Sequence, residues 1–380
     1  MRRSSEKILT THIGSLPDFV VLDTTAGDHD ARLRTAVGDA IRKQRDCGLD
    51  IINEGEFTKH GDWLRYVEGR LGGFEPRMDP QTVFTAGKDR EVFADFYKYA
   101  TEQGTLFYRP KENLVRPVPS WACVGPISYR GQDALAQEID VFRTALGGAA
   151  SRDAFLTTTA PASLEPYRKN EFYKSEEEFV YAIADAMRVE YQMITMAGFL
   201  VQIDDAWIPA LWDRIGIQMG LEAFRKYCLM RVEALNHALK GIPQEQVRYH
   251  LCWGSWHGPH VYDMPMKDIV DVMLKVDAQC YLFEAANARH EHEWIVWETV
   301  KLPAGKIIAP GMVTHSTDVV EHPELVSQRI QRFAALVGKE NVMAGCDCGF
   351  GRRSHPQIGW AKLKTLVEGA ALATQALKYH

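Results

Sequence analysis

The chain has 380 residues, 46% of them apolar and 25% charged, which is enough for one large α/β barrel or two average domains. Its 44 basic and 50 acidic side chains leave a formal charge of −6, arguing against nucleic acid or an anionic membrane as partner and for a small ligand. Seven scattered cysteines without paired spacing exclude a disulfide framework, and with no apolar leader and no run of about eighteen apolar residues, a cytoplasmic protein is expected.

Short apolar or β-branched runs occur at 8–15, 49–56, 154–161, 199–205, 246–253, 279–285, 306–313 and 341–348. Helical patterns lie between them. One opens at Ser175, an N-cap serine followed by Glu176, Glu177 and Glu178, and carries Phe179, Ala182, Ile183, Met187, Tyr191, Ile194 and Met196 as an apolar stripe that stops at Gly198. Residues 221–240 and 320–337 have the same character. Eight strand–helix units predict an α/β fold, a single (β/α)8 TIM barrel over residues 1–380. Residues 70–150 break the repeat. Gly72-Gly73, scattered prolines and the run 118–129 with a turn at Gly125-Pro126 predict an inserted β-hairpin subdomain after barrel strand two, overhanging the active-site mouth.

In such barrels the chemistry sits at the C-terminal strand ends, and here nearly every strand delivers a titratable group to that rim. Strand one ends in His12-Ile13-Gly14-Ser15, strand two in Asn53-Glu54-Gly55-Glu56 and strand four in Gln202-Ile203-Asp204-Asp205. Strand five ends in His250-Leu251-Cys252, strand six in Glu284, strand seven in Thr314-His315 and strand eight in Asp347-Cys348-Gly349. His250 and Cys252, two apart on a strand, project from one face. With Glu284 and Cys348 they form a four-ligand set whose imidazole and thiolates suit Zn2+ better than magnesium or calcium. Any one of these residues alone reads as packing or a helix cap; their joint placement on one rim favours the metal. Cys346 lies two before Cys348 on the same strand, so position alone leaves it an equal candidate.

The series resembles the catalytic barrel of cobalamin-independent methionine synthase and its single-barrel relatives, which include the epoxyalkane:coenzyme M transferases. Thr11-His12-Ile13-Gly14-Ser15-Leu16-Pro17 is similar to the family's opening turn, Glu54-Gly55-Glu56-Phe57 to its Gly-Glu motif, and Gln202-Ile203-Asp204-Asp205 to its Gln-Ile-Asp-Glu strand. His250-x-Cys252, Glu284 and Asp347-Cys348-Gly349 match its zinc set in order, and the Asp-Cys-Gly match selects Cys348 over Cys346. The chain departs from the family at Ala206, where a proline is usual, and after Pro161, where folate-using members carry a tryptophan. It also has no room for the second, N-terminal barrel of a full methionine synthase.

The resemblance implies zinc-dependent transfer of a methyl group to a homocysteine-type thiol bound to the metal as thiolate, with Glu284 as the ligand that yields to substrate. The alternative is addition of coenzyme M or a similar thiol to an epoxide. The partners expected are thus a small thiol and an alkyl donor, methyltetrahydrofolate or an epoxide. His315 is the candidate general acid, with Asp318 to orient its ring. Glu56 and Asp204 are candidates for the substrate ammonium, and the backbone amides of Ile13, Gly14 and Ser15 for its carboxylate; a sulfonate would need Arg289, Arg352 or Arg353. His257, His260, His290 and His292 read first as solvated loop residues and second as a network behind the ligands, and Trp253, Trp256, Trp294 and Trp297 as pocket wall or core. A porphyrinogen-decarboxylase-like barrel and a non-catalytic binding protein rank behind. A homo-oligomer is in keeping with the barrel class, although no segment marks an interface.

Overall fold

The computed structural model describes all residues except 19–21, 24, 60–63, 78–85, 108–119, 148–152 and 379–380. The described residues form strands β1 (Leu9–Thr10), β2 (Leu71–Arg77), β3 (Ser120–Tyr129), β4 (Phe155–Thr159), β5 (Arg168–Asn170), β6 (Leu200–Asp205), β7 (Val247–Leu251), β8 (Cys280–Phe283), β9 (Ile307–Val313) and β10 (Met343–Cys346). Seven of them make one curled parallel sheet in the order β1-β10-β9-β8-β7-β6-β4. Residues 51–52 fill the gap between its two edges, through parallel bridges Thr11↔Ile51 and Ile52↔Ala154. All eight predicted runs therefore stand in the barrel wall. Their near-continuous apolar character follows from burial on both faces, by the barrel interior and by the outer helices.

The outer helices start where local chemistry satisfies their first amides. Ser175 Oγ accepts from Glu178 N at 3.1 Å, and His322 and His355 accept through Nδ1 ahead of Pro323 and Pro356. Helix Glu176–Met196 buries Phe179, Ile183, Met187, Tyr191 and Ile194 as its spacing predicts. Met196 departs from that stripe and is 86% exposed, because two positions after Ile194 it falls on the opposite side of the helix. After β7 and β8 the helical layer shrinks to Val270–Met273 and the 3-10 segment Glu291–Glu298, and the longer loops left there wall the barrel mouth. No helix among the described residues is long and apolar enough to cross a membrane.

The insertion holds the antiparallel pair β2/β3, but its sheet is three-stranded, β2-β3-β5, and β5 enters from beyond β4. Three residues were too few to show a strand period. The expected turn at Gly125-Pro126 is corrected: both residues lie inside β3, in a bulge between the pairings Gly72↔Ser128 and Phe74↔Cys123. Gly73 faces this bulge with φ 91°, and a side chain there would meet the Pro126 carbonyl oxygen at 2.6 Å. The N-terminal part of the predicted 118–129 run, residues 118–119, lies outside the described residues.

A buried charge network fastens this insertion to the barrel. Arg70 pairs with Glu190 at 3.0 Å and Glu138 at 2.9 Å, and Lys59 pairs with Glu138. Tyr66, Tyr129 and Thr158 donate their hydroxyls to Glu190 at 2.6–2.7 Å. Burial pushes Glu138 upward, but Lys59 and Arg70 together outweigh it and hold its carboxyl down at about 2.

Candidate metal centre

Parallel register places Asp204 of β6 directly opposite His250 of β7. Their side chains share a face, and Asp204 Oδ1 takes His250 Nδ1 at 2.9 Å. Gln202 donates to the same oxygen at 2.9 Å, and Arg248 in turn donates to Gln202 at 3.1 Å. This chain of bonds turns the other ring nitrogen, Nε2, toward the mouth, where it is buried and has no hydrogen-bond partner. Burial pulls the His250 pKa down, yet the hydrogen bond and charge of Asp204 outweigh it and the net shift is upward.

Two cysteine sulfurs complete the cluster. Cys252 Sγ and Cys348 Sγ are 4.0 Å apart, and donor atoms of His250, Cys252 and Cys348 all lie within 4.8 Å of one another. Sulfurs sharing a tetrahedral zinc at 2.3 Å would stand about 3.8 Å apart, so the donor set fits that ion in type and span. The hydrogen bond from Cys252 holds the Cys348 thiol down at about 5 against burial, with Arg353 and His250 assisting, and the same bond pushes Cys252 well above its usual range. Glu284 stands beside the three rather than among them. Its Oε1 is 3.6 Å from Cys252 Sγ and accepts from Trp253 N at 2.9 Å, while burial raises its carboxyl to about 7. Cys346 points elsewhere, toward the Thr11 carbonyl at 4.0 Å: β10 ends at Cys346, so strand alternation no longer relates it to Cys348.

The strand-one turn packs onto the same rim. A side chain at Gly14 would overlap the Glu56 carboxylate, one at Gly349 would overlap Ser15 Oγ, and Ile13 gives its carbonyl to Gln202. Ser15 also accepts from Phe350 N at 2.9 Å. Glu56 itself is buried with φ 62°, an unusual backbone for a non-glycine residue. Burial, then the charges of Asp204 and Glu54, push its carboxyl to about 8. His12, in contrast, turns away to Gln44 at 2.7 Å.

His315 is buried with Nδ1 unpartnered, and burial, then Arg353 and His257, hold it well below its usual range. It is a neutral imidazole near pH 7, not a ready-made acid. Its expected partner is corrected as well: Asp318 is exposed, and among the described residues it makes no hydrogen bond to the His315 ring. Glu321 fixes this loop instead, accepting from Thr314 N at 2.8 Å and from Lys362 at 2.9 Å. Of the candidate arginines, Arg353 bonds Ser255 and the Gly351 carbonyl and places its charge near Cys348, Glu56 and His315, whereas Arg289 is spent on the Val261 carbonyl.

Solvated loop histidines describe only part of the group. His292 is exposed, but His260 and His290 belong to a network in which Asp263 Oδ2 bonds both, at 2.9 and 3.1 Å, and His290 also bonds Glu293 at 3.0 Å. The His290 ring packs on fully buried Trp253 at 4.6 Å. Trp256 stacks on His260 at 4.2 Å and donates to Tyr97 of the insertion at 3.1 Å, while Trp297 stacks on Phe283 in the core. Asp263, Asn287 and Glu321 went unnoticed in the sequence. Only Asn287, three residues after Glu284, carried a positional hint.

Known proteins resemble this chain over nearly its whole length. A curated methionine synthase of Saccharolobus solfataricus is 24% identical over 97% of this chain and 96% of its own length, and one of Sulfurisphaera tokodaii is 22% identical over 97% and 93%. Among solved structures, a B12-independent methionine synthase from Shewanella sp. W3-18-1, in complex with selenomethionine, superposes with a TM-score of 0.69 at 17% identity, covering 97% of this chain and 99% of its own. A methyltransferase from Methanosarcina mazei reaches 0.55 at 12% identity over 97% and 94%. The profile described as "Cobalamin-independent synthase, Catalytic domain" matches residues 164–372, more than half of the sequence and all three converging residues. The chain therefore belongs to the family of cobalamin-independent synthase catalytic domains.

Proposed function

We propose that this protein is a zinc-dependent methyltransferase that moves a methyl group onto the sulfur of a homocysteine-type thiol. One observation carries the reading: His250, whose buried Nε2 has no hydrogen-bond partner, offers a ring nitrogen within 4.8 Å of two cysteine sulfurs. A buried nitrogen left without a partner costs about 1–3 kcal/mol, which a bound metal removes. Curated relatives named methionine synthase over nearly the full length support the activity.

His250, Cys252 and Cys348 would hold the zinc, with Glu284 beside them as an exchangeable donor. Bound there, the ion supplies a Lewis acid that keeps the substrate sulfur deprotonated at neutral pH, where a free thiol with pKa about 8.5 is mostly protonated. Asp204 keeps the proton of His250 on Nδ1 and leaves Nε2 free to ligate. Glu56, with its carboxyl near 8, takes full negative charge once a substrate ammonium stands beside it, and Asp204 adds a second acid at that end. Amides of Ile13, Gly14 and Ser15 receive the carboxylate. His315, neutral and buried, offers one N–H to the departing atom of the methyl donor. We assign all 380 residues to one catalytic barrel domain, with the insertion over its mouth.

The acids at the rim favour an ammonium-bearing thiol over a sulfonate. Zinc-loaded protein is expected to consume homocysteine, and not coenzyme M, when each is offered with methyltetrahydrofolate and with a short epoxide. Consumption of coenzyme M with the epoxide, and of no amino-acid thiol, would overturn the assignment of substrate.

A further inference from the structure

We propose that Asn287 is a positioning residue for the metal centre: it holds the Glu284 carboxylate so that Oε1 faces the Cys252 sulfur. The assignment rests on the metal reading above. Asn287 is buried, and its amide is fully used. Its Oδ1 accepts from Arg289 N and His290 N, both at 3.0 Å, which fixes the orientation of the side chain. Nδ2 is left to donate to two carboxylates, Glu284 Oε2 at 2.8 Å and Asp347 Oδ2 at 3.1 Å.

Asp347 makes this a clamp. Its Oδ1 accepts from Ala285 N at 2.7 Å and Ala286 N at 2.8 Å, so the residue preceding Cys348 is bonded to three consecutive residues following Glu284. In the sheet, β8 and β10 are not neighbours, since β9 runs between them. Asp347 reaches across β9 at Gly311, where any side chain would overlap its carboxylate. Two metal-site strand ends are thereby tied over an intervening strand that has no side chain at the crossing. Without the Asn287 amide, Glu284 and Asp347 would face each other with no donor between them, and Glu284 would turn away from the sulfur.

Metal affinity separates this role from a merely structural one. Zinc binding of the wild type, Asn287→Leu, Glu284→Ala and the double variant would be measured by competition with a chromophoric chelator. The Co2+ absorption bands of each would be recorded alongside. Asn287→Leu is expected to bind zinc about 10–100-fold more weakly, the range found for partners that orient metal ligands, and to show Co2+ bands like those of Glu284→Ala. In the Glu284→Ala background the same change is expected to add no more than about twofold, because the residue through which Asn287 acts is already gone. Asn287→Ser, which keeps an acceptor for the two backbone amides, carries the comparison should the leucine variant fail to fold. An equal loss in both backgrounds, or none in the wild type, would overturn the proposal while leaving the metal reading intact. A wild type that holds zinc no better than Cys348→Ser would overturn both.

Discussion

Cys348→Ser is expected to empty the metal centre while leaving the barrel folded. Cys348 is the residue of the triad that the protein holds closest to thiolate, through the hydrogen bond from Cys252 and the charges of Arg353 and His250. A serine hydroxyl stays protonated at neutral pH and is a poorer ligand for a borderline-soft ion. Zinc content should fall from about one per chain to below about 0.1, because only two of the three converging donors then remain beside Glu284. Methyl transfer should fall at least about 10³-fold, since charge stabilisation by a metal is worth several kcal/mol. Cys346→Ser supplies the control two residues away. Its sulfur faces the Thr11 carbonyl, so metal content should remain that of the wild type while stability drops slightly. Metal analysis of the two purified variants, with circular dichroism to establish folding, checks both expectations.

Arg70→Met is expected to be the most destabilising single change outside the metal centre. Arg70 is shared by two buried carboxylates, Glu138 and Glu190. Removing it leaves Glu138 with Lys59 alone and Glu190 with hydroxyl donors but no directly paired cation, only the charge of Lys59 acting from farther off. Breaking such a pair costs about 3–5 kcal/mol because a charge remains buried without compensation. For a chain of this size that corresponds to a Tm lower by about 4–6 °C. Adding Glu190→Gln should recover part of the loss, since the stranded charge is then gone.

The pH dependence follows from the sign of the shift. Glu138 titrates at about 2 when folded against an ordinary 4.5, so its contribution is present above pH 4.5 and lost as pH falls toward 2. Without Arg70 that depression is smaller. The gap in Tm between the wild type and Arg70→Met should therefore be widest above about pH 5 and narrow below about pH 4. Thermal unfolding of both proteins across that range is the measurement.

The barrel was legible because its strands are buried on both faces and so read as unbroken apolar runs, while strand-end motifs such as His250-x-Cys252 and Asp347-Cys348-Gly349 stand out against them. Features made by pairing across long sequence distances were not legible. β5 is three residues long and becomes a strand only because β3 lies beside it. Gly125-Pro126 has the composition of a turn, yet the register of β2 makes it a bulge. At the site, spacing put Glu284 among the ligands but could not show that Trp253 N and Asn287 hold its oxygens. For His315, residue type suggested an acid, and only its buried, cation-rich surroundings showed that it is neutral. His290 looked like a solvated loop residue because its partners, Asp263 and Glu293, come together through folding of the loop after β7 onto the segment after β8.

The central claim is that His250, Cys252 and Cys348 bind one ion together, and X-ray absorption at the zinc edge tests it most directly. Wild-type protein reconstituted with one equivalent of zinc is expected to show two sulfur ligands at about 2.3 Å and at least one imidazole nitrogen at about 2.0 Å, with one sulfur lost in Cys348→Ser protein forced to bind at high zinc. A first coordination sphere of oxygen and nitrogen alone, identical in the two proteins, would contradict the account.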